Sequence, residues 1–279
     1  MTYATIERYR AFTIPRVPSS GNPAGVVLGA DFLSDADMQD IATQLGFSES
    51  AFLSDVAPGS ARIRYFTPRA EIAFCGHATI ASGAALARAG ATGVVRLRTN
   101  AGEVLVEASA HRAVLTAVET SVEPLDETTL DELLHALRLT RADLDPRLPP
   151  ALVRGGNPHP VVPVTADALA RLDHDPDEVL RIQDERGWDG TVPVVHRLSR
   201  TLFRSRNPFP RGGIREDPAT GSAAADLGAY LRWGGHIATP ATITVEQGGE
   251  TGRPCLLSVE VPSRGRVRVS GTVARLDSE

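Results

Sequence analysis

The stretch Glu71–Gly90, EIAFCGHATIASGAALARAG, decides how this chain must fold. Its second half is rich in Ala with no Pro, a helix-forming pattern, and it stops at a Gly. Small and apolar residues occupy nearly every face, so there is almost no polar stripe for water to meet. A helix of that kind is buried on all sides. An Ala-rich surface helix would instead keep one polar face. The helix also opens on Cys75, Gly76 and His77, residues with chemical capacity of their own.

The same segment returns as EDPATGSAAADLGAYLRWGG, Glu216–Gly235, with Glu, Gly, Ala, Gly, Ala, Leu and Gly matching in an ungapped overlay. Two further blocks repeat in the same order. GNPAGVV at Gly21–Val27 comes back as GNPHPVV at Gly156–Val162, and RYFTP at Arg64–Pro68 has a looser echo in RSRNP at Arg204–Pro208. Two copies are too few for a solenoid. They point to two homologous halves facing each other across a cleft, each with one central buried helix. Gly83 and Gly228 fall at equivalent places, where a close approach of strand backbone is expected.

Each half has the same outline. An early strand (YRAFT, then ALVRG) runs into a Gly-Asn-Pro turn and a Val-Val strand. In the first half SDADMQDIATQLG follows, with Ser34 as N-cap, Asp37 at N3 and Gly46 as the C-terminal stop. Strands FSESAFLS and ARIRYFTP precede the buried helix, and VVRLRTN, EVLVEAS and AVLTAVE close the half. The second half ends in ATITVEQ, LLSVEV and RVRVSGTV. The polar, helical stretch from Ser121 to Pro150 reads as the linker. The halves are therefore placed at 1–122 and 123–279, with the last strands able to pack back on the first half.

Composition narrows the function. With 279 residues there is enough chain for a sizeable core. A net charge of -5 without any Lys/Arg block argues against a nucleic-acid partner. No apolar run is long enough to cross a bilayer, and MTYATIERYRAFT lacks the basic and apolar regions of a secretion signal. The two cysteines, Cys75 and Cys255, cannot form a disulfide framework, so the expected compartment is the reducing cytoplasm. No His, Cys or carboxylate group has metal-ligand spacing in the sequence.

The starts of the two buried helices carry the chemistry. A helix N-terminus offers free amides and a partial positive charge, and it binds anions readily. CGHAT and TGSAA each place a glycine there, which leaves the amides open to a ligand. His77 and Ser222 take equivalent positions. If the halves face each other, the guest is a small anion. No P-loop lysine and no dinucleotide-binding glycine pattern is present, so a nucleotide is not expected. Glu49 sits in LGFSESAFL with apolar neighbours on both sides. Partial desolvation there raises a carboxyl pKa toward the range useful for proton transfer.

Together GNPAGVV, FSESAF, FTPRAEIAFCGHAT and EDPATGSA resemble the phenazine biosynthesis PhzF-like isomerase family, within the diaminopimelate epimerase-like superfamily. The resemblance spans essentially the whole chain. It implies an α+β fold of two similar halves, each a strongly curved, mostly antiparallel sheet around a central helix, with the active site between them. It also implies a homodimer and no cofactor. By the same resemblance Glu49 is the general acid/base, and His77 positions substrate and relays a proton. Asp217 and Ser222 hold the substrate's polar groups. The amides of Gly76 and Gly221 bind its carboxylate, and Cys75 and Thr220 complete the substrate-binding surface.

One departure separates the chain from the superfamily's two-cysteine epimerases. The second cysteine position is Thr220, whose hydroxyl is far too weak an acid for that role. Cys75 then reads as a small buried residue, and Cys255 as core. The loop FRSRNPFPRGGIRED supplies Arg204, Arg206, Arg211 and Arg215, which read first as solvated charges, with contact between one of them and a substrate carboxylate as the alternative. The leading expectation is a cofactor-independent isomerase moving a proton and a double bond on a small unsaturated or cyclic amino acid. The alternatives are an amino-acid epimerase or dehydratase, and a scaffold that only binds an anion.

Overall fold

A computed structural model describes residues 4–276. The first three residues of the N-terminal stretch discussed above, and the last three of the chain, lie outside the described residues.

The first half contains β1 (Thr5–Thr13), β2 (Asn22–Leu28), α1 (Asp35–Leu45), β3 (Glu49–Ala57), β4 (Ser60–Phe66), β5 (Glu71–Ile72), α2 (Gly76–Arg88), β6 (Val94–Thr99), β7 (Gly102–Ser109) and β8 (Arg112–Thr116). The remainder contains β9 (Ser121–Pro124), α3 (Glu127–Ala136), β10 (Ala151–Gly155), β11 (Asn157–Pro163), α4 (Ala166–Ala170) and α5 (Pro176–Arg186). It ends with β12 (Val194–Arg197), β13 (Leu202–Arg206), α6 (Gly221–Trp233), β14 (Ala241–Gln247), β15 (Cys255–Val261) and β16 (Arg268–Arg275). The architecture is α+β, with strongly curved sheet wrapped around two central helices.

The strand order repeats between the halves. β2 pairs with β3 in parallel, as β11 does with β12, and the parallel pair β4–β6 recurs as β13–β14. The other ladders between strands are antiparallel. Gly21 and Gly156 open the two Val-Val strands with φ of 97° and 98°, a conformation that glycine adopts without steric cost. The asparagine after each glycine is already the first residue of its strand.

α2 is buried at every position from Gly76 through Leu86, and α6 from Gly221 through Leu231. α2 packs on β1, β2, β3, β7, β8 and β16, and α6 on β9, β10, β11, β15 and β16. Their all-round small residues let the sheet close tightly about them. At Gly228 the close neighbours are side chains rather than the expected strand backbone. A Cβ there would lie 2.9 Å from Val259 Cγ1 and 3.0 Å from Val261 Cγ2. α1 has the expected ends, with a reciprocal Ser34–Asp37 capping box and Gly46 in the left-handed conformation.

The halves exchange strands. β16 pairs with β15 through Arg268–Ser270, with β8 through Arg268–Thr272, and with β1 through Thr272–Arg275. It therefore closes the ring β1-β2-β3-β4-β6-β7-β8 of the first half. In return the chain leaving β8 continues into β9, which pairs with β10 of the second half. The 122/123 boundary drawn from the sequence falls within β9. The stretch expected to be a linker instead contributes β9 and α3, and Leu130, Leu133 and Leu134 of α3 are buried in a core shared with α5 and β11.

β1 meets β16 at a bulge. Its register shifts between Ala11 and Thr13, and Phe12 takes a φ of 62°, unusual for an aromatic residue. The twist sends the Phe12 ring inward, against Gly271 of β16 and toward Gly221 at the start of α6. A Cβ on Gly271 would lie 2.4 Å from the ring, and one on Gly221 3.3 Å from its tip. Gly271→Val should therefore destabilise the protein by about 1–3 kcal/mol, the usual cost of overpacking. Urea denaturation of the two proteins checks this, and an unchanged midpoint would contradict the packing described.

Candidate active site

The starts of α2 and α6 meet at the interface of the halves. A Cβ on Gly76 would sit 2.9 Å from Gly221 Cα and 2.9 Å from Ser222 N. The glycines were expected to make room for a ligand, but their bare faces make room for each other. Each Gly-Asn-Pro asparagine reaches across to the opposite half. Asn22 Nδ2 donates to the Ala219 carbonyl at 3.1 Å, and Asn157 Nδ2 to the Phe74 carbonyl at 3.2 Å. Phe74 and Ala219 directly precede the N-caps Cys75 and Thr220. The two bonds are thus the same contact made twice.

Neither N-cap side chain makes a regular cap hydrogen bond, so the first amides of both helices lack an intrahelical partner, and at α2 those of His77 and Ala78 point at the Cys75 sulfur. Beside them lies a cavity of about 20 Å³, room for about one water. Its lining includes Glu49, Cys75, Gly76, His77, Asp217, Thr220, Gly221 and Ser222, every site residue expected from the sequence. It also includes Asn157, His159, Asp189, Gly190 and Thr191, which were not expected.

Glu49, first residue of β3, is 3% exposed. Its Oε2 lies 3.6 Å from His77 Nε2, beyond hydrogen-bond reach, and neither atom has a partner among the described residues. Burial raises the Glu49 pKa, and the nearby Asp217 carboxylate raises it further. Asp217 is raised by burial too, but less freely. It accepts from Thr220 Oγ1 at 2.6 Å and from Asn22 Nδ2 at 2.7 Å, bonds that favour its charged form. Of the two acids, Asp217 is held and Glu49 is left unheld. His77 is lowered to about 4 by burial, so its ring is neutral at physiological pH.

Thr220 is less available than expected. Its hydroxyl gives its proton to Asp217 and accepts from Asn207 Nδ2 at 2.9 Å and Gln247 Nε2 at 3.2 Å. Cys75 is buried, with Sγ 3.3 Å from His77 Nδ1, and burial pushes its thiol well above the ordinary range. Cys255 is buried in β15. None of the four loop arginines lines the cavity. Arg204 pairs with Glu246, Arg206 with Glu216, Arg211 with Asp184 and Asp189, and Arg215 with Asp173.

The fold brings together a metal-ligand set that spacing alone did not reveal. Glu49, Cys75 and His77 offer donor atoms within 4.8 Å of one another. Their environment suits a cation poorly. The thiol and the carboxyl both hold their protons, and the positive end of α2 lies against them.

The model of the family described as phenazine biosynthesis-like protein matches residues 9–278. The chain belongs to that family. It is 34% identical over 274 residues to the protein "Uncharacterized isomerase YddE" of Escherichia coli (strain K12), covering 93% of this chain and 92% of that one. It is 32% identical over 265 residues to trans-2,3-dihydro-3-hydroxyanthranilate isomerase of Pseudomonas fluorescens, covering 91% of each. Among solved structures, a predicted epimerase from Pseudomonas aeruginosa superimposes with a TM-score of 0.84 at 29% identity, over 99% of this chain and 98% of that one. The protein is an isomerase of the phenazine biosynthesis-like family, with the diaminopimelate epimerase-like fold that its motifs implied. No helix among the described residues is long and apolar enough to cross a membrane.

Asparagines 22, 157 and 207, Gln247 and His159 were not read as site residues. The repeated GNP block was the available signal for the first two, since both copies keep an asparagine where the turn needs only the glycine.

The unheld carboxyl has a stability signature. Below the ordinary glutamate pKa of 4.5, Glu49 is protonated in both folded and unfolded chains and costs nothing. As pH rises past that value the unfolded chain releases the proton and the folded chain keeps it, so stability falls until the raised folded pKa is passed. Glu49→Gln removes that fall. Its melting temperature relative to wild type should be higher at pH 8.5 than at pH 4.5. An equal difference at both pH values would mean that Glu49 titrates normally.

Proposed function

We propose that the enzyme is a cofactor-independent isomerase with Glu49 as its acid/base. It takes a proton from one carbon of a small unsaturated or cyclic amino acid and returns it to another, shifting a double bond. One observation carries this reading. Glu49 is a buried carboxyl with an unpartnered oxygen, facing a cavity lined by the first residues of both central helices. With the cavity opened beyond the one-water volume it has here, the substrate's carboxylate lies on the amides of Gly76, His77, Gly221 and Ser222, where the dipoles of both helices favour it. Its reacting carbons then face Glu49. Asp217, fixed by Thr220 and Asn22, orients the opposite side, and neutral His77 gives or takes a hydrogen bond without adding charge.

The Pseudomonas fluorescens relative supplies the first substrate to try, trans-2,3-dihydro-3-hydroxyanthranilate. General acid/base groups contribute ~10²–10⁴-fold in rate. Glu49→Gln should fold by circular dichroism, bind the substrate, and turn it over at least about a hundredfold more slowly. Wild-type kcat/KM should rise with pH through a value above the ordinary glutamate range, since the carboxylate is the base. Near wild-type turnover by a well-folded Glu49→Gln would remove Glu49 from the mechanism.

A cysteine-based epimerase is the rival. The raised Cys75 thiol and the engaged Thr220 hydroxyl both oppose it. Cys75→Ala should keep most of the turnover. A loss of several orders of magnitude in the folded variant would restore the cysteine as a catalytic base.

A further inference from the structure

His159 lies in β11, in the second Gly-Asn-Pro block, where the first block has Ala24. The helix positions are reversed, with His77 in the first half and Ser222 in the second. Each half therefore brings one imidazole to the cavity, but from a different element. His159 is fully buried and lines the cavity beside Ser222.

Its hydrogen bonds fix its tautomer. His159 Nδ1 lies 3.0 Å from the Thr191 carbonyl oxygen, which can only accept. Nδ1 therefore carries the proton. The Thr191 hydroxyl, 3.3 Å away, accepts from Asn207 Nδ2 at 3.1 Å and could either donate to or accept from Nδ1; the shorter carbonyl contact decides, because a bare Nδ1 there would set lone pair against lone pair. Burial keeps the ring neutral, with a pKa lowered to about 4. In a neutral ring protonated on Nδ1, Nε2 offers a lone pair. That nitrogen is 3.0 Å from Ser222 Oγ, so the serine hydroxyl must donate to it.

The ring's seat is made for it. A Cβ on Gly190 would lie 2.6 Å from His159 Cε1 and 2.7 Å from Nδ1. Gln183 Nε2 fixes the same loop by donating to the Gly190 carbonyl at 2.6 Å.

We propose that His159 is a positioning residue that accepts the hydrogen bond of the Ser222 hydroxyl and leaves Ser222 Oγ only its lone pairs to offer the cavity. This rests on the cavity being the isomerase site. It narrows the substrate class. A carboxylate gains nothing from an oxygen whose proton is already engaged, so it stays on the amides. The Ser222 oxygen instead selects a substrate with an N–H or O–H donor beside its carboxylate, as an amino or hydroxyl acid has.

The test combines a spectrum with a binding ratio. Long-range proton–nitrogen correlation spectra of protein labelled with ¹⁵N-histidine, assigned by the peak lost in His159→Gln, should show His159 protonated on Nδ1 only. A ring protonated on Nε2 would overturn the proposal. Calorimetry then compares 3-hydroxyanthranilate, which carries donors, with benzoate, which has only the carboxylate. Wild type should favour the former by about tenfold or more, the worth of one good hydrogen bond. His159→Leu should lose most of that preference. His159→Gln, whose amide oxygen can accept from Ser222, should keep much of it.

Equal binding of the two probes by wild type, or an undiminished ratio in His159→Leu, overturns the role of His159 while the carboxylate site stands. Failure of wild type to bind either probe overturns the site itself. If His159→Leu does not fold, Ser222→Ala takes its place. It should lose the preference and shift the His159 Nε2 resonance, and no change in either overturns the proposal.

Discussion

The contact between Gly76 and Gly221 is the constraint on which the rest of the site depends. Two helix N-termini, each carrying partial positive charge, are brought together with no side chain between them. Such ends repel, so the approach must be enforced from outside. The crossed bonds from Asn22 and Asn157 to the opposite helix starts enforce it, and the strand exchange through β16 locks the halves around it. The concentrated positive potential is then available to an anion.

The same potential accounts for the acids. Glu49 and Asp217 are both buried, the Asp217 carboxylate raises the proton affinity of Glu49, and no arginine or lysine lines the cavity. Two ionised carboxylates there would be costly. The helix ends offset part of that cost, and the hydrogen bonds to Asp217 decide which acid carries the charge more readily. The duplicated scaffold thus delivers different chemistry from its two sides. Equivalent helix positions hold His77 and Ser222, and equivalent strand positions hold Ala24 and His159. Symmetry makes the cavity, and the departures from it give the cavity a direction.

Much of this was legible in the sequence, because it depended on local pattern. Small residues on every face of Glu71–Gly90 and Glu216–Gly235 meant buried helices, and the repeated blocks meant two halves. Residues at helix starts, such as His77 and Ser222, could be placed because a helix start has one geometry. The remainder depended on partners distant in sequence. Asn22 looks like a turn residue until Ala219 is beside it. His159 is an ordinary strand histidine until Thr191 and Ser222 fix its tautomer. Glycine at 76 permits either a ligand or another backbone, and only the folded chain decides which. The Ser121–Pro150 stretch was misjudged because its exposed charges conceal a leucine face that packs on α5.

The strand exchange also sets an order of events as the chain is made. The ribosome releases β1 to β8 first, but the ring they form lacks the strand that closes it. That strand begins at Arg268, after the entire second half. At roughly 5–20 residues per second, the gap between Thr116 and Arg268 lasts on the order of 10–30 s. Throughout that interval the nascent first half presents open edges at β1 and β8, the kind that recruit other chains. The first and last strands thus meet in one ladder, and the first-made half is the last to be finished.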